Sequence, residues 1–376
     1  MDIYGEKKNA IRTIGFFCAI MLMLTFADLL QKDRLYSETE NRMLAQRPEV
    51  NGDRVISGEY MSEYETYLND QFVGRDNWVT LKNGTEILMG KKLINGVYLA
   101  EEGYLIEQHL PKDFPGDKVH KRMENLWKLI KAYPQTKVML VPTADNIFTE
   151  KLPAFAACYD QKQLVEQMQS TIGAKRVINV FPILEAHAGE GIYYRTDHHW
   201  TTLGAYYAYT EFVKAYDLPL RNYLRQEPVT VTEEFLGTLH SKVNLPMKTE
   251  SIVMFPRTLD REYTITYDRE KLSHSFYEES YLEGKDKYAY FLDGNHALVE
   301  IERESFSDRE LFVIKDSYAN SLIPLLAHHY KKIYVVDLRY YNGKLKELMQ
   351  ECDSTGQMDV LVLYNCVHFV EDFQPQ

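Results

Sequence analysis

The 376 residues are 45% hydrophobic and 26% charged, ordinary globular composition with enough chain for one large core, or a main domain and an appendage. Acidic residues outnumber basic ones, 55 to 43, for a formal net charge of -12. With no run of Lys and Arg anywhere, the sequence argues against a nucleic-acid partner.

At the N-terminus, Lys7, Lys8 and Arg12 precede an uncharged run from Thr13 to Ala27 (TIGFFCAIMLMLTFA), short for a full span unless it continues through Asp28 to Leu30. A basic flank before an apolar segment marks an export signal, either cleaved or kept as an anchor. Thr25 and Ala27 make only a weak small-x-small cleavage site, which favours the anchor. In both readings residues 1–12 stay in the cytoplasm and the chain beyond 13–30 is exported. A buried core helix fits poorly with basic residues on one flank only. The polar stretch 31–56 reads as a linker, and residues 57–376 as the exported domain.

From Ser57 to Leu93 the apolar spacing is helical, with Tyr60, Tyr64, Tyr67, Leu68, Phe72, Trp78, Leu81, Ile87 and Leu88. VYLA (97–100) and YLIE (104–107) flank Glu101-Glu102-Gly103 and predict a hairpin. Val119, Met123, Leu126, Leu129 and Ile130 predict a helix over 117–133. The pattern then alternates. Strands are expected at 137–142, 176–181, 311–315, 331–338 and 358–364, an extended segment at 193–197, and helices at 160–173, 200–216, 317–330 and 342–352. Short apolar strands between helices indicate a parallel sheet covered on both faces. The segment 218–308 breaks this rhythm with VTVT, SIVMF, YTITY and KYAYF, and reads as a β-rich insertion.

Cys18 lies in the apolar run. Cys158, Cys352 and Cys366 lack zinc spacing, and a Cys352–Cys366 bridge is neither required nor excluded by the sequence. The 28 tyrosines include flat rings suited to sugar faces, though most serve packing.

Chemistry concentrates in two tetrads: Asp197-His198-His199-Trp200 and, far downstream, Lys315-Asp316-Ser317-Tyr318. Residues two apart on an extended backbone share a side, so Asp197 can face His199 while His198 points elsewhere. The carboxylate would hold the imidazole through Nδ1 and leave Nε2 to take a hydroxyl proton. Trp200 would open the next helix and wall the site. Ser317, between a strand and a helix, stands where open α/β sheets bind ligands and where free N–H groups can meet an oxyanion. Each tetrad also has an ordinary reading: Thr196 or Asp197 as a helix cap, and Asp316 or Ser317 likewise. A metal site on Asp197, His198 and His199 is a lesser rival, because adjacent histidines rarely chelate one ion.

TDHHWTTLGAYYAY (196–209) and VIKDSYANSLIPLLAHHYKKIYVVDLRYY (313–341) resemble the DHHW family, which is similar to the SGNH-hydrolase-like proteins that O-acetylate alginate and other exported polysaccharides. SETENRMLAQRPE (37–49) and NDQFVGRDNWV (69–79) are similar to its membrane-proximal pattern. The resemblance implies a flavodoxin-like, doubly wound, mostly parallel sheet of the SGNH-hydrolase type. It implies Asp197, His199 and Ser317 as a catalytic triad, and Arg339, Tyr340 and Asn295, beside Trp200, as substrate-binding residues. Two departures stand out. The serine block follows the Asp/His block, as in the alginate-acetylating relatives, and Lys315 occupies the glycine position of Gly-Asp-Ser. The oxyanion glycine and asparagine of that family have no assigned counterpart.

The implied function is extracytoplasmic acyl transfer, of acetyl, to a cell-surface or secreted polysaccharide. The implied partners are that polysaccharide and an integral-membrane acyl donor protein; no cofactor or metal is called for. The same triad would serve a carbohydrate acetylesterase with water as acceptor. A non-catalytic glycan-binding component of a polysaccharide assembly is the reading from another class.

Overall fold

The computed structural model describes residues 3–256, 263–303, 308–353 and 356–375. The chain divides into two units, one of residues 1–91 with 243–245 and one of 92–242 with 246–376. The expected start of the exported domain at residue 57 therefore falls inside the first unit.

The first unit opens with α1 (Ile3–Leu30), whose segment Lys7–Leu30 is long and apolar enough to cross a membrane. Thr13 and Thr25 inside it donate to the carbonyls of Asn9 and Met21, four residues back. The expected linker contains a short hairpin, Tyr36–Ser37 with Arg42–Met43, and a helical turn, Gly52–Ser57. Helices Glu59–Gln71 and Arg75–Leu88 follow. The two membrane-proximal sequence blocks meet here. Arg42 holds Asp70 at 2.5 Å, Arg75 holds Glu40 at 2.9 Å, and Arg34 holds Asp76 at 2.8 Å.

The second unit is built on a seven-stranded sheet: β1 (Thr136–Val141), β2 (Thr264–Tyr267), β3 (Lys271–Ser273), β4 (Leu298–Glu302), β5 (Glu310–Lys315), β6 (Lys332–Asp337) and β7 (Asp359–Asn365), in the order β3-β2-β4-β6-β5-β7-β1. The pairs β6–β5, β5–β7 and β7–β1 are parallel; β4, β2 and β3 extend the sheet antiparallel at one edge. The parallel strands are continuous apolar runs buried on both faces, as LFVI and VLVLY lead one to expect. Of segment 218–308, β2, β3 and β4 thus belong to the main sheet. Val229–Phe235 and Glu250–Met254 form a separate two-stranded ribbon.

The hairpin of Val97–Leu99 with Leu105–Glu107 forms as expected, and so do α2 (Gly116–Ala132), α3 (Gln161–Ile172), α4 (Thr202–Ala215) and α5 (Leu345–Cys352). A further short helix, α6 (Cys366–Asp372), follows β7. Three expected elements differ. Residues 193–197 make one bridge, Tyr193 to Trp200, and then bend into a loop rather than running extended. Residues 176–181 contribute one bridge, Val177 to Val138, rather than a strand, because Asn179 caps the N–H of Phe181 and Pro182 starts a helix over Phe181–Ala186. Residues 317–330 form three short turns instead of one helix: Ser317–Ser321, Ile323–Leu326 and Ala327–His329. Pro324 has no N–H to continue a ladder from the preceding turn, so the middle turn begins afresh. All four cysteines are free, with Cys352 and Cys366 both buried.

From β5 the chain passes to β6 on one side, then returns past β5 to β7 on the other. Strand order therefore reverses at β5, and the carboxyl end of that strand delivers Asp316 and Ser317. Open α/β sheets place their ligands at such a point.

Candidate active site

Residues 193–200 form a tight loop. Tyr193 bridges Trp200, and the Tyr194 N–H donates to the His199 carbonyl at 3.2 Å. Within this turn Asp197 Oδ1 receives both the backbone N–H and the Nδ1 of His199, at 3.0 and 2.6 Å. Nε2 of the same ring lies 2.8 Å from Ser317 Oγ. All three side chains are buried. The cap of α4 is Thr201, whose hydroxyl accepts from Gly204 N–H, so neither Thr196 nor Asp197 serves as that cap.

The other carboxylate oxygen, Asp197 Oδ2, accepts from the N–H and hydroxyl of Thr238, at 2.8 and 2.9 Å. Gly237 packs so tightly on Asp197 that a Cβ there would collide with the carboxylate. Burial alone would push the Asp197 carboxyl up. The imidazoles of His198 and His199 and the hydrogen bonds outweigh it, holding the group well below the usual carboxylate range. Asp197, His198 and His199 each offer a ligand-type atom within 4.8 Å of the others. Those donors are already engaged: both carboxylate oxygens accept hydrogen bonds, and both nitrogens of His199 face hydrogen-bond partners. That arrangement suits a proton relay better than a cation.

Tyr288 completes the surroundings of His199. Its ring lies face to face with the imidazole, centroids 3.8 Å apart and planes 8° apart, and its hydroxyl reaches Ser321 Oγ at 3.2 Å. Burial pushes that phenol strongly up, so it stays neutral. His198 does not point clear of the pair: its Nδ1 lies 3.7 Å from Asp197 Oδ1, and its ring centroid is 3.9 Å from that of His199. The same Nδ1 faces Thr238 Oγ1 at 2.7 Å, and burial, then the neighbouring His199, pushes the His198 pKa down to about 3 against the pull of Asp197.

Asp316 turns away from the serine's partner. Its Oδ1 caps the following turn through Tyr318 N–H at 3.0 Å, and its Oδ2 accepts from Asn365 N–H at 2.9 Å and faces His368 Nδ1 at 3.1 Å. As the first residue of its turn, Ser317 has an N–H with no acceptor inside that turn. Lys315 is wholly buried beside β6. Its ammonium donates to Asn320 Oδ1 at 2.8 Å and Asn295 Oδ1 at 3.1 Å and lies 3.4 Å from Asp337.

The expected substrate-binding residues separate. Trp200 is 0% exposed, with its indole N–H on the Tyr318 carbonyl (2.9 Å) and Ser321 Oγ (3.1 Å). It fastens the two tetrads together and has no surface to offer a substrate; nor does it open α4, which begins two residues later. Arg339 follows β6 and is engaged by Asp337 through two bonds, at 2.9 and 2.6 Å, while Tyr340 beside it is 49% exposed. Asn295 is exposed and held by Lys315. Gly237, Thr238 and Tyr288 are the contributors that sequence reasoning missed.

The family profile described as DHHW protein matches residues 116–336, more than half of the chain. No curated protein matches it by sequence. Among solved structures, a DHHW family protein from Eubacterium siraeum is 22% identical over 75% of this chain and 97% of its own, with a TM-score of 0.59. Bacillus cereus PatB1 carrying a sulfonyl adduct is 16% identical over 74% and 98%, with a TM-score of 0.58. The O-acetyltransferase domain of Pseudomonas putida AlgJ is 15% identical over 75% and 94%, with a TM-score of 0.41. At identities this low the first two likenesses are likenesses of fold.

Proposed function

The chain belongs to the DHHW family, and from that premise we propose that it transfers an acyl group, acetyl, to an exported polysaccharide through Ser317, His199 and Asp197. One observation carries the reading: the serine hydroxyl, the imidazole and the carboxylate stand in line, 2.8 and 2.6 Å apart. The reversal of strand order at β5 supports reading the sheet as the doubly wound, SGNH-hydrolase-like type.

In the first step His199 Nε2 takes the Ser317 proton as Oγ attacks the acyl carbonyl carbon of an ester or thioester donor. The tetrahedral intermediate then collapses. The leaving oxygen or sulfur departs with the proton from His199, and an acyl-serine ester remains. In the second step a sugar hydroxyl gives its proton to Nε2 and attacks that ester; collapse returns the proton to Ser317 and releases the acylated sugar. Asp197 keeps the proton on Nδ1 and offsets the charge of the imidazolium. The Ser317 N–H is one donor for the developing oxyanion.

Lys315 in place of a glycine does not count against catalysis, because its amine is drawn toward Asn320, Asn295 and Asp337. The apolar length of α1, Lys7–Leu30, supports an extracytoplasmic enzyme tethered at the membrane surface, where an integral-membrane donor protein would supply the acyl group. Hydrolysis is the same chemistry with water as acceptor, so a carbohydrate acetylesterase is the neighbouring activity; product analysis with and without an oligosaccharide acceptor separates the two.

The test is acetate release from nitrophenyl acetate, together with labelling by a sulfonyl fluoride. Wild type is expected to release acetate and take one label on Ser317, whereas Ser317→Ala and His199→Ala fall by about 10²-fold or more. Equal rates in all three would sink the catalytic reading and leave a glycan-binding component.

A further inference from the structure

Bordered by His198 lies a polar cavity of about 210 Å³, lined also by His368, Glu107, Asp113, Glu371 and their neighbours. It sits over the carboxyl ends of β1 and β7, reached by Thr143 and Asn365. These strands lie on one side of β5 and its serine. His198, which lines the cavity, packs its ring 3.9 Å, centroid to centroid, from the ring of the proposed base.

The hydrogen-bond network fixes what His198 offers. Thr238 uses its hydroxyl proton on Asp197, so its oxygen can only accept from His198, and Nδ1 of that ring carries a hydrogen. The ring is neutral, so its Nε2 is a bare acceptor. His368 presents Nδ1 to the Asp316 carboxylate, and although burial opposes charge on the ring, that carboxylate raises its pKa overall. Protonated, it makes Nε2–H a donor. Each ring is about a quarter exposed, and among the described residues neither Nε2 has a hydrogen-bond partner. An acceptor and a donor in one small cavity are the complement of a hydroxyl group, which both gives and takes a hydrogen bond.

We infer that this cavity is the acceptor subsite, holding one ring of a neutral or amino sugar, with His198 Nε2 accepting from its hydroxyls and His368 Nε2–H donating to them. The inference rests on the acyl-transfer reading above for its role, not for its existence as a site. Glu107, Asp113 and Glu371 bring three carboxylates to the walls, and among the described residues Glu107 alone of the three has a lysine or arginine salt-bridge partner, Lys242. A uronate ring would meet like charge there, whereas a glucosamine ammonium or a neutral hydroxyl would find acceptors.

The experiment uses the full chain with Ser317→Ala, which silences chemistry, and follows binding of three probes by calorimetry: cellotetraose, a β-1,4-glucosamine tetramer and tetragalacturonate. The first two are expected to bind and the third not. Adding His368→Leu is expected to weaken binding at least tenfold. Glu371→Lys, an exposed change with little risk to folding, is expected to weaken the glucosamine tetramer and admit tetragalacturonate. Failure of the first two probes to bind, tighter binding of the uronate, or indifference to both substitutions would each overturn the subsite. The two proposals fail separately. An unlabelled, inactive Ser317 with His368-dependent sugar binding removes only the transfer reading, whereas a labelled, active serine with binding indifferent to His368 removes only the subsite.

Discussion

Four hydrogen bonds converge on the carboxylate of Asp197, two from His199 and two from Thr238, and the missing side chain of Gly237 is what lets the last two arrive. Gly237→Ala is therefore expected to displace Asp197 and turn His199 away from Ser317, lowering the rate of acetate release by about 10²–10⁴-fold, the span of a lost general base. Thr238→Val removes one of the four and is expected to cost roughly tenfold, the equivalent of about 1.4 kcal/mol. Parallel rate measurements on the two variants check the ranking; a Gly237→Ala enzyme as fast as wild type would mean that the carboxylate's placement is unimportant. The meeting of Asp197, His199 and Ser317 was legible in part, because Asp197 and His199 stand two residues apart and because Ser317 follows an apolar strand. Gly237, Thr238 and Tyr288 were not, since they come from separate segments whose local sequence has no period that would aim them at a histidine.

Elements show the same division. The parallel strands were readable from short uninterrupted apolar runs, but the turns after β5 were not, because their course is decided by distant partners. Trp200 bonds across to Tyr318 and Ser321, and Asp316 collects donors from the end of β7 and from α6. Trp200→Phe keeps the packing and loses the N–H, so a destabilisation of about 1–3 kcal/mol is expected in a denaturant titration. The Asp316–His368 contact makes a pH-dependent prediction. The pKa of His368 is raised in the folded chain, so its contribution is complete below the unfolded value of about 6.5 and fades as pH rises through the higher folded value. Asp316 is lowered, despite its burial, by its bonds with His368 and Asn365; its contribution is complete above about 3.9 and fades as pH falls through the folded value. The pair thus stabilises most between about pH 4 and 6.5. His368→Gln is expected to lower Tm most in that window, by roughly 2 °C or more, with the difference from wild type shrinking toward pH 9. A difference that grows with pH would show that the ring is not charged in the fold.

For the molecule as a whole, the decisive quantity is the apolar surface of α1. Ile11, Phe16, Leu22 and Phe26 are each about two-thirds exposed, and each would cost about 1.5–3 kcal/mol to leave in water. The 24 residues from Lys7 to Leu30 extend about 36 Å, against a hydrocarbon layer of about 30 Å, so the helix can span with a tilt. Its two threonine hydroxyls are satisfied by carbonyls of the same helix, as a lipid environment requires. The full chain is accordingly expected to stay in the membrane pellet through an alkaline wash. Leu22→Arg with Met23→Arg places two charges near the middle of the span, each costing about 2.5–3.5 kcal/mol on insertion, and should move most of the protein to the supernatant. Tags at both ends decide between anchor and cleaved signal. An anchored chain keeps both on one 44.1 kDa species, whereas cleavage leaves the C-terminal tag alone on a shorter, soluble one. That outcome would put the site in free solution and remove the reason for expecting its acyl donor in the bilayer, shifting the balance of the proposed chemistry from transfer toward hydrolysis.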